Sequence, residues 1–343
     1  MIIHRRSLLL SGLAASAAGA AALAACSKPE ESRTTGGSAS PAAAPGSTKI
    51  RFATDWKAEA EHGGFYQALA TGEYAKRGLD VTLIPGGPGT SVPSLLAAGA
   101  IDMGIGSNSF GVMNLAAQHV PVKAVMATMQ KDPQVLIAHP DAGVRSIADM
   151  KGHPMLIGDE AVTTFWVWLK AKYGFTDDMV RKYTFNAGPF IANKGSVQEG
   201  YVSSEPYTIE KTAGFKPEVF LLADNGYPGY AGMVLATDAL IDANPKAVKA
   251  FVEATRAGWT AYLHGDPAPA DALIRKDNPD MGQDVLDQAR GKFRDYALFE
   301  PPGVPIGTMT DAKWKTFFDT ASGLGVYPKT LNWKDAYTLA FLG

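Results

Sequence analysis

The feature that most constrains the fold is a regular alternation of short apolar strands with helical segments after residue 48. Because a crossover between parallel strands is usually a helix, this pattern predicts a parallel sheet with helices on both faces. In such sheets ligands bind at the carboxyl ends of the strands, often against helix N-termini. The strand patterns are residues 49–54, 79–84, 101–105 and 120–126, and the helical patterns are residues 63–70, 92–98 and 110–118.

The same alternation continues further along the chain and predicts a second α/β unit. A chain of 343 residues is also longer than one hydrophobic core usually supports, so two lobes are expected. The predicted strands are residues 134–139, 155–158, 182–186, 219–222 and 233–237, with a helix at 162–173. Helices follow at 245–262, 268–275, 283–294 and 311–322. In the first of these, Asn244 is a suitable N-cap and Pro245 a suitable first-turn residue.

Composition excludes several classes of function. With 32 basic and 34 acidic residues, the chain has no excess of positive charge for a nucleic-acid backbone. The single cysteine excludes an internal disulfide, a cysteine-based zinc site and an iron–sulfur cluster. The six histidines lack metal-ligand spacing, and no Gly-x-Ser-x-Gly motif is present. We therefore expect neither a metal nor another cofactor, and no enzymatic activity.

The N-terminus has the layout of an export signal. His4-Arg5-Arg6 precedes an uncharged apolar run that ends in Leu23-Ala24-Ala25-Cys26. This ending resembles the lipobox of bacterial lipoproteins, which predicts removal of residues 1–25 and lipidation of Cys26. A retained signal-anchor helix is the alternative, although 18 residues rich in Ala and Gly are short for a permanent span. The arginine pair fits either twin-arginine or ordinary export.

Residues 26–48 then form a predicted flexible tether, because residues 27–48 contain no aromatic or large aliphatic side chain. A lipid anchor followed by a tether indicates a domain held at a membrane surface outside the cytoplasm, in the periplasm or at the cell surface. NAD and ATP are scarce there, which favours binding, sensing or hydrolysis.

Several segments together resemble the solute-binding proteins of bacterial ABC importers, in the branch for thiamine pyrimidine precursors, alkanesulfonates, nitrate and riboflavin. The segments are residues 54–56 (TDW), 62–70 (HGGFYQALA), 72–74 (GEY), 77–81 (RGLDV), 101–106 (IDMGIG), 146–152 (SIADMKG) and 236–241 (ATDALI). The resemblance implies a monomeric type II periplasmic-binding-protein clamshell, each lobe a mainly parallel sheet flanked by helices. It implies lobe 1 at residues 49–133 and 232–343, lobe 2 at 134–231, and partners in a permease with its ATPase.

Within this branch, Asp55-Trp56 and residues 200–206 (GYVSSEP) are most similar to the pyrimidine-precursor binders. The resemblance therefore implies an aminopyrimidine ligand, with an alkanesulfonate, nitrate or a riboflavin-like solute as alternatives. A periplasmic sensor domain would use the same pocket. Eukaryotic relatives of this fold are pyrimidine synthases that use bound pyridoxal phosphate and a cysteine-rich segment, which the lone Cys26 cannot supply.

An aminopyrimidine needs an aromatic platform for its ring and a carboxylate or carboxamide for its amine edge. Trp56 and Tyr201 are the preferred platforms, and Glu205, followed by a proline, is the preferred edge acceptor. For each remaining aromatic, packing in a core is the favoured alternative, and each remaining polar group could instead lie at the surface or cap a helix. These other candidate ligand-binding residues are Tyr66, Tyr227, Asp55, His62, Ser107, Asn108 and Thr164.

Overall fold

The structure is a computed structural model, and it describes residues 44–343. The predicted signal peptide, Cys26 and residues 26–43 of the tether lie outside the described residues. Among residues 44–343, no helix is both long enough and apolar enough to span a membrane.

Ten strands form two five-stranded sheets in this part of the chain. In chain order the strands are β1 (Thr48–Ala53), β2 (Leu79–Ile84), β3 (Met103–Asn108), β4 (Val122–Met129), β5 (Gln134–Ala138), β6 (Met155–Ile157), β7 (Val180–Lys182), β8 (Val197–Tyr201), β9 (Glu218–Leu221) and β10 (Ala231–Thr237). The first sheet has the order β2-β1-β3-β10-β4, and the second has the order β7-β6-β8-β5-β9. The chain therefore passes between the sheets twice, after β4 and after β9.

Each sheet is mixed, with one strand that opposes the other four. In the first sheet β2, β1 and β3 are parallel, and β10 pairs antiparallel with β3 and β4. In the second sheet β7, β6 and β8 are parallel, and β5 pairs antiparallel with β8 and β9. The reversed strands, β5 and β10, are those by which the chain enters the other sheet. The expected mainly parallel α/β architecture is confirmed with this addition.

Within residues 44–343, eleven α-helices accompany these strands. They are α1 (Gly63–Ala70), α2 (Val92–Ala97), α3 (Ser109–Ala117), α4 (Phe165–Tyr173), α5 (Gly188–Ala192), α6 (Glu205–Ala213), α7 (Asp238–Ala243), α8 (Pro245–His264), α9 (Ala268–Asp277), α10 (Gln283–Asp295) and α11 (Asp311–Gly323). Helix α8 begins as predicted, because the Asn244 side chain accepts a hydrogen bond from the Ala247 N–H at 3.1 Å. Its buried stripe includes Phe251, Val252 and Trp259.

Helices α1 and α8 approach each other closely at glycines. A Cβ on Gly64 would lie 2.1 Å from the Trp259 ring, and a Cβ on Gly258 would lie 2.2 Å from the Gly64 carbonyl oxygen. Glycine at both positions therefore lets the two backbones meet without displacing the indole. This packing fixes the start of α1, and with it the loop that carries Asp55, Trp56 and His62.

The element predictions were partly wrong in the second sheet. The strand expected at residues 182–186 is β7, which ends at Lys182. The following loop contains Phe185 at φ 59°, a left-handed conformation that a strand does not have. Strand β8 and helices α5 and α6 were not predicted. The helix expected from residue 162 begins at Phe165, after a short 3₁₀ turn.

Candidate functional site

A cavity of about 480 Å³ opens between the two sheets. Its walls are formed mainly where strands end: the loops after β1, β6 and β7, the last residues of β3, and the junction of β8 with α6. The cavity therefore lies at the carboxyl ends of strands, as expected for α/β sheets.

The structure brings eight of the ten candidate ligand-binding residues together on this wall. They come from both sheets, and Trp56 and Tyr201 are both half-buried. The eight residues are Asp55, Trp56, His62, Ser107, Asn108, Thr164, Tyr201 and Glu205.

Tyr66 and Tyr227 do not line the cavity. Tyr66 is fully buried in α1, and its hydroxyl donates to Asp277 Oδ2 at 3.0 Å. Tyr227 is 4% exposed and stacks on Phe110, with ring centroids 5.2 Å apart. Core packing accounts for both rings, so their positions give no support to a direct ligand contact.

Asn108 and Thr164 use polar atoms in local structure. The Asn108 side-chain oxygen accepts the Gly111 N–H at 3.0 Å and so caps α3. The Thr164 hydroxyl lies 3.4 Å from the Ala161 carbonyl oxygen, next to the start of α4. Capping therefore explains the Asn108 contact, whereas Thr164 precedes α4 without a side-chain cap hydrogen bond and its hydroxyl donates to carbonyl oxygens instead.

A polar network joins the two sides of the cavity. The Ser107 hydroxyl lies 2.7 Å from Asp55 Oδ2 and 2.8 Å from Glu160 Oε1, where Glu160 follows β6 in the second sheet. A hydroxyl carries one proton, so both contacts are hydrogen bonds only when one carboxyl is itself protonated. Burial and the charge of Asp55 raise the pKa of Glu160, which favours that state.

His62 continues this network from the other side of Asp55. Its Nε2 lies 3.3 Å from Asp55 Oδ1, and the side chain is nearly fully buried. Its Nδ1 has no hydrogen-bond partner among the described residues. His62 therefore has one ring nitrogen available for a further polar contact.

Sequence reasoning missed most of the negative charge at the cavity. Six carboxyl side chains line it, against Lys57 and His62 as the basic ones. Lys57 is about half exposed and lies 3.9 Å from the surface residue Asp280. The six are Asp55, Glu59, Glu61, Glu160, Glu199 and Glu205. The available signal was the Glu59-Ala60-Glu61 pair directly after the Asp55-Trp56 strand end.

Glu199 and Glu205 are the two carboxyls at the junction of β8 and α6. Glu199 Oε1 accepts the Gly158 N–H at 3.0 Å, and Glu205 Oε2 accepts the Tyr201 N–H at 2.7 Å. Burial raises the pKa of Glu199 to about 8 and that of Glu205 to about 7, although these backbone hydrogen bonds oppose the rise. Near neutral pH burial therefore favours the protonated form of Glu199 and leaves Glu205 close to its midpoint.

Phe185, which was not predicted as a site residue, also lines the cavity and contacts Trp56. It is 45% exposed, which is unusual for a large apolar side chain in this fold. A planar ligand therefore has aromatic surface available from both sides of the cavity.

Comparison with known proteins agrees with this architecture. A family model described as "NMT1/THI5 like" matches residues 59–270, more than half of the chain. The chain belongs to the NMT1/THI5-like family. The matched range contains every cavity carboxyl from Glu59 to Glu205 but begins just after Asp55 and Trp56.

Curated relatives of this NMT1/THI5-like chain have names that state different functions. The riboflavin-binding protein RibY of Chloroflexus aurantiacus is 26% identical over 235 residues, which is 65% of each chain. The formylaminopyrimidine-binding protein of Halalkalibacterium halodurans is 22% identical, covering 76% of this chain and 81% of the relative. The 4-amino-5-hydroxymethyl-2-methylpyrimidine phosphate synthase of Aspergillus parasiticus is 23% identical, covering 69% of this chain and 73% of the relative.

Among solved structures, the alkanesulfonate-binding protein SsuA from Xanthomonas axonopodis pv. citri, bound to MOPS, superposes with a TM-score of 0.62. It is 15% identical, and the match covers 87% of this chain and 99% of SsuA. At this identity the likeness establishes the periplasmic-binding-protein fold and carries no information on the ligand.

Proposed function

We propose that this chain is the extracytoplasmic solute-binding protein of an ABC importer and captures an aminopyrimidine-like heteroaromatic nutrient. The observation that carries the proposal is the cavity between the sheets, where aromatic rings and the Glu205 carboxyl line one space. In this proposal residues 49–133 and 232–343 form one lobe and residues 134–231 the other. Closure of the lobes around ligand then presents a surface to the permease and its ATPase.

The cavity chemistry supports a flat ligand with an amine edge. Trp56 and Phe185 provide apolar faces, and Glu205 provides a carboxyl oxygen beyond the one that accepts the Tyr201 N–H. An aminopyrimidine presents an amine donor beside a ring-nitrogen acceptor. A protonated carboxyl matches this pair directly, and an ionised carboxyl matches it when the ring nitrogen carries the proton. The formylaminopyrimidine-binding relative supports the same ligand class.

An enzymatic role has weaker support. One relative is a pyrimidine phosphate synthase, and the resemblance implies a cysteine-rich segment in such enzymes. The only cysteine of the sequence is Cys26. Two relatives are binding proteins, which favours capture without chemistry. We further propose that Cys26 is lipidated, so that a monomeric domain works at a membrane surface.

Isothermal titration calorimetry with a 4-aminopyrimidine, riboflavin, nitrate and benzenesulfonate tests the proposal. We expect the aminopyrimidine to bind most tightly. Glu205→Gln retains an oxygen for the Tyr201 N–H but turns an NH₂ group towards the ligand amine, so the aminopyrimidine should bind about tenfold more weakly. Unsubstituted pyrimidine, which has no amine, should lose much less affinity in this variant.

Glu210→Gln is the matched control, because Glu210 is exposed on the same helix, α6. It should bind all solutes as the wild type does. Equal aminopyrimidine affinity of wild type and Glu205→Gln would remove the edge-recognition role. Absence of binding by every solute would overturn the solute-binding function.

A further inference from the structure

Glu199 carries a buried oxygen that nothing in the described chain satisfies. Its side chain lines the cavity and the residue is 7% exposed. Oε1 accepts the Gly158 N–H, whereas Oε2 has no hydrogen-bond partner. A buried carboxyl oxygen without a donor is costly, so such an atom at a cavity wall points to a donor supplied by a ligand.

The backbone around Glu199 and Glu205 leaves room for both carboxyls. A Cβ on Gly158 would lie 2.7 Å from Glu199 Oε1, and a Cβ on Gly200 would lie 2.8 Å from Glu205 Oε2. Any side chain at either glycine would displace a carboxyl oxygen. Gly158 and Gly200 both line the cavity, so the two carboxyl positions are built into its wall.

The titratable groups that face Glu199 are two carboxyls and a phenol, so none of them is basic. They are Glu205 at the start of α6, Glu160 in the loop after β6, and the Tyr183 phenol after β7. No lysine or arginine is among these groups. An anionic ligand placed here would meet like charges in a weakly solvated space, whereas a cation or a strong N–H donor would be attracted.

We infer that Glu199 is a second specificity-determining acceptor, and that the site selects planar nitrogen ligands of the amidine type over anions. Glu199 and Glu205 together accept from two N–H groups on one ligand edge or balance its positive charge. The inference rests on the proposed solute-binding function and narrows it: sulfonates and phosphates are rejected, and the accepted ring carries an amidinium or an amine beside a ring N–H.

Benzamidinium and benzenesulfonate are matched probes, since they share a ring and differ in the sign of charge. Calorimetric titrations of the full chain with each probe, at pH 6 and pH 8.5, test the inference. We expect the wild type to bind benzamidinium. Binding should be tighter at pH 8.5, because the carboxyls are then already ionised and need not release a proton when the cation binds. Benzenesulfonate should not bind at either pH.

Glu199→Gln retains the oxygen for Gly158 and replaces the free acceptor with a donor, so benzamidinium affinity should fall by about tenfold or more. Its gain in affinity between pH 6 and pH 8.5 should also shrink. Glu210→Gln should behave as wild type. Gly158→Ala retains the carboxyl but displaces it, and should weaken benzamidinium binding if Glu199→Gln does not fold.

Three outcomes would overturn the inference. The first is a benzamidinium affinity within about twofold of wild type in both Glu199→Gln and Gly158→Ala. The second is tighter binding of benzenesulfonate than of benzamidinium. The third is failure of benzamidinium to bind to a wild type that does bind the aminopyrimidine. In the third case the proposed function stands, because the aminopyrimidine still binds. If no solute binds at all, the proposed function fails as well.

Discussion

The indole of Trp56 and the ring of Phe185 meet across the cavity, with centroids 4.2 Å apart and planes inclined by 52°. Trp56 follows β1 of the first sheet, and Phe185 follows β7 of the second. A ring stacked between two aromatics needs about 7 Å between them, since each stacking contact occupies about 3.5 Å. A sandwiched ligand must therefore separate Trp56 from Phe185, whereas a ligand on one face leaves the pair in contact.

Trp56→Ala should weaken binding of a 4-aminopyrimidine by about 1 to 3 kcal/mol, because base-like rings lose that much when a stacking aromatic is removed. Phe185→Ala should weaken it less, since Phe185 is 45% exposed and already in contact with water. Calorimetric titration measures both losses. Trp333→Ala, a half-buried tryptophan that does not line the cavity, is the control. Unchanged affinity of Trp56→Ala would exclude stacking on the indole.

A buried ion pair joins helices α9 and α10, and its loss should destabilise the fold. Arg290 Nη1 lies 2.9 Å from Asp271 Oδ1, and the two side chains are 10% and 2% exposed. Asp271 also accepts hydrogen bonds from the Tyr262 hydroxyl and the Gln283 amide. Asp271→Asn turns an NH₂ group towards these donors and leaves the buried guanidinium with only the exposed Asp287 as a counter-charge.

We expect Asp271→Asn to lower the free energy of unfolding by about 3 to 5 kcal/mol, as breaking a buried pair usually does. Urea unfolding at pH 7 measures the change. Asp295→Asn is the control, because Asp295 is exposed at the end of α10. A loss below about 1 kcal/mol would show that water or another group replaces the lost charge.

The sequence predicted elements where local signals agreed with the final structure. Strand β2 was predicted at its observed bounds because Pro85 and Gly86 stop an alternating apolar run. Strand β8 reads Val-Gln-Glu-Gly-Tyr, which lacks an apolar alternation, yet it occupies the centre of the second sheet. Its place is set by pairing with β5 and β6, which are distant in sequence, so no local pattern could predict it.

The sequence likewise predicted only part of the cavity wall. Residues directly after recognisable strands, such as Trp56 and Ser107, could be placed at a strand end from the sequence. Glu199 could not, because it lies inside β8 and its position depends on that unpredicted strand. Tyr66 and Tyr227 share the residue type of a stacking platform, and only their tertiary packing reveals that their rings belong to the core.

Cys26 lies outside the described residues, and its lipidation is a prediction from Leu23-Ala24-Ala25-Cys26. Cys26→Ala should release the chain from membranes, because the thiol that accepts the lipid is absent. Fractionation of membranes, with mass spectrometry of the N-terminal peptide, measures this change, and Ser27→Ala is the control. Membrane retention of a processed Cys26→Ala chain would contradict lipid anchoring.

The protonation of Glu199 predicts how stability depends on pH. In the unfolded chain this carboxyl ionises near pH 4.5, whereas burial raises its pKa in the folded chain to about 8. Below pH 4.5 both states are protonated and the stabilising contribution is complete. Between these values only the unfolded state ionises, so the free energy of unfolding should fall as the pH rises, by at most about 1.4 kcal/mol per pH unit.

Glu205 and Asp132, whose pKa values are each raised to about 7, add to the same decline. Burial lowers the pKa of Lys313 to about 8, so its effect is a gain in stability as the pH rises from about 8. Urea midpoints of wild type and Glu199→Gln from pH 5 to pH 9 separate these contributions. Glu199→Gln should flatten the decline, and Glu210→Gln should not. Parallel curves for wild type and Glu199→Gln would mean that the folded chain accommodates the Glu199 charge without cost, in which case water or a local rearrangement must solvate its second oxygen.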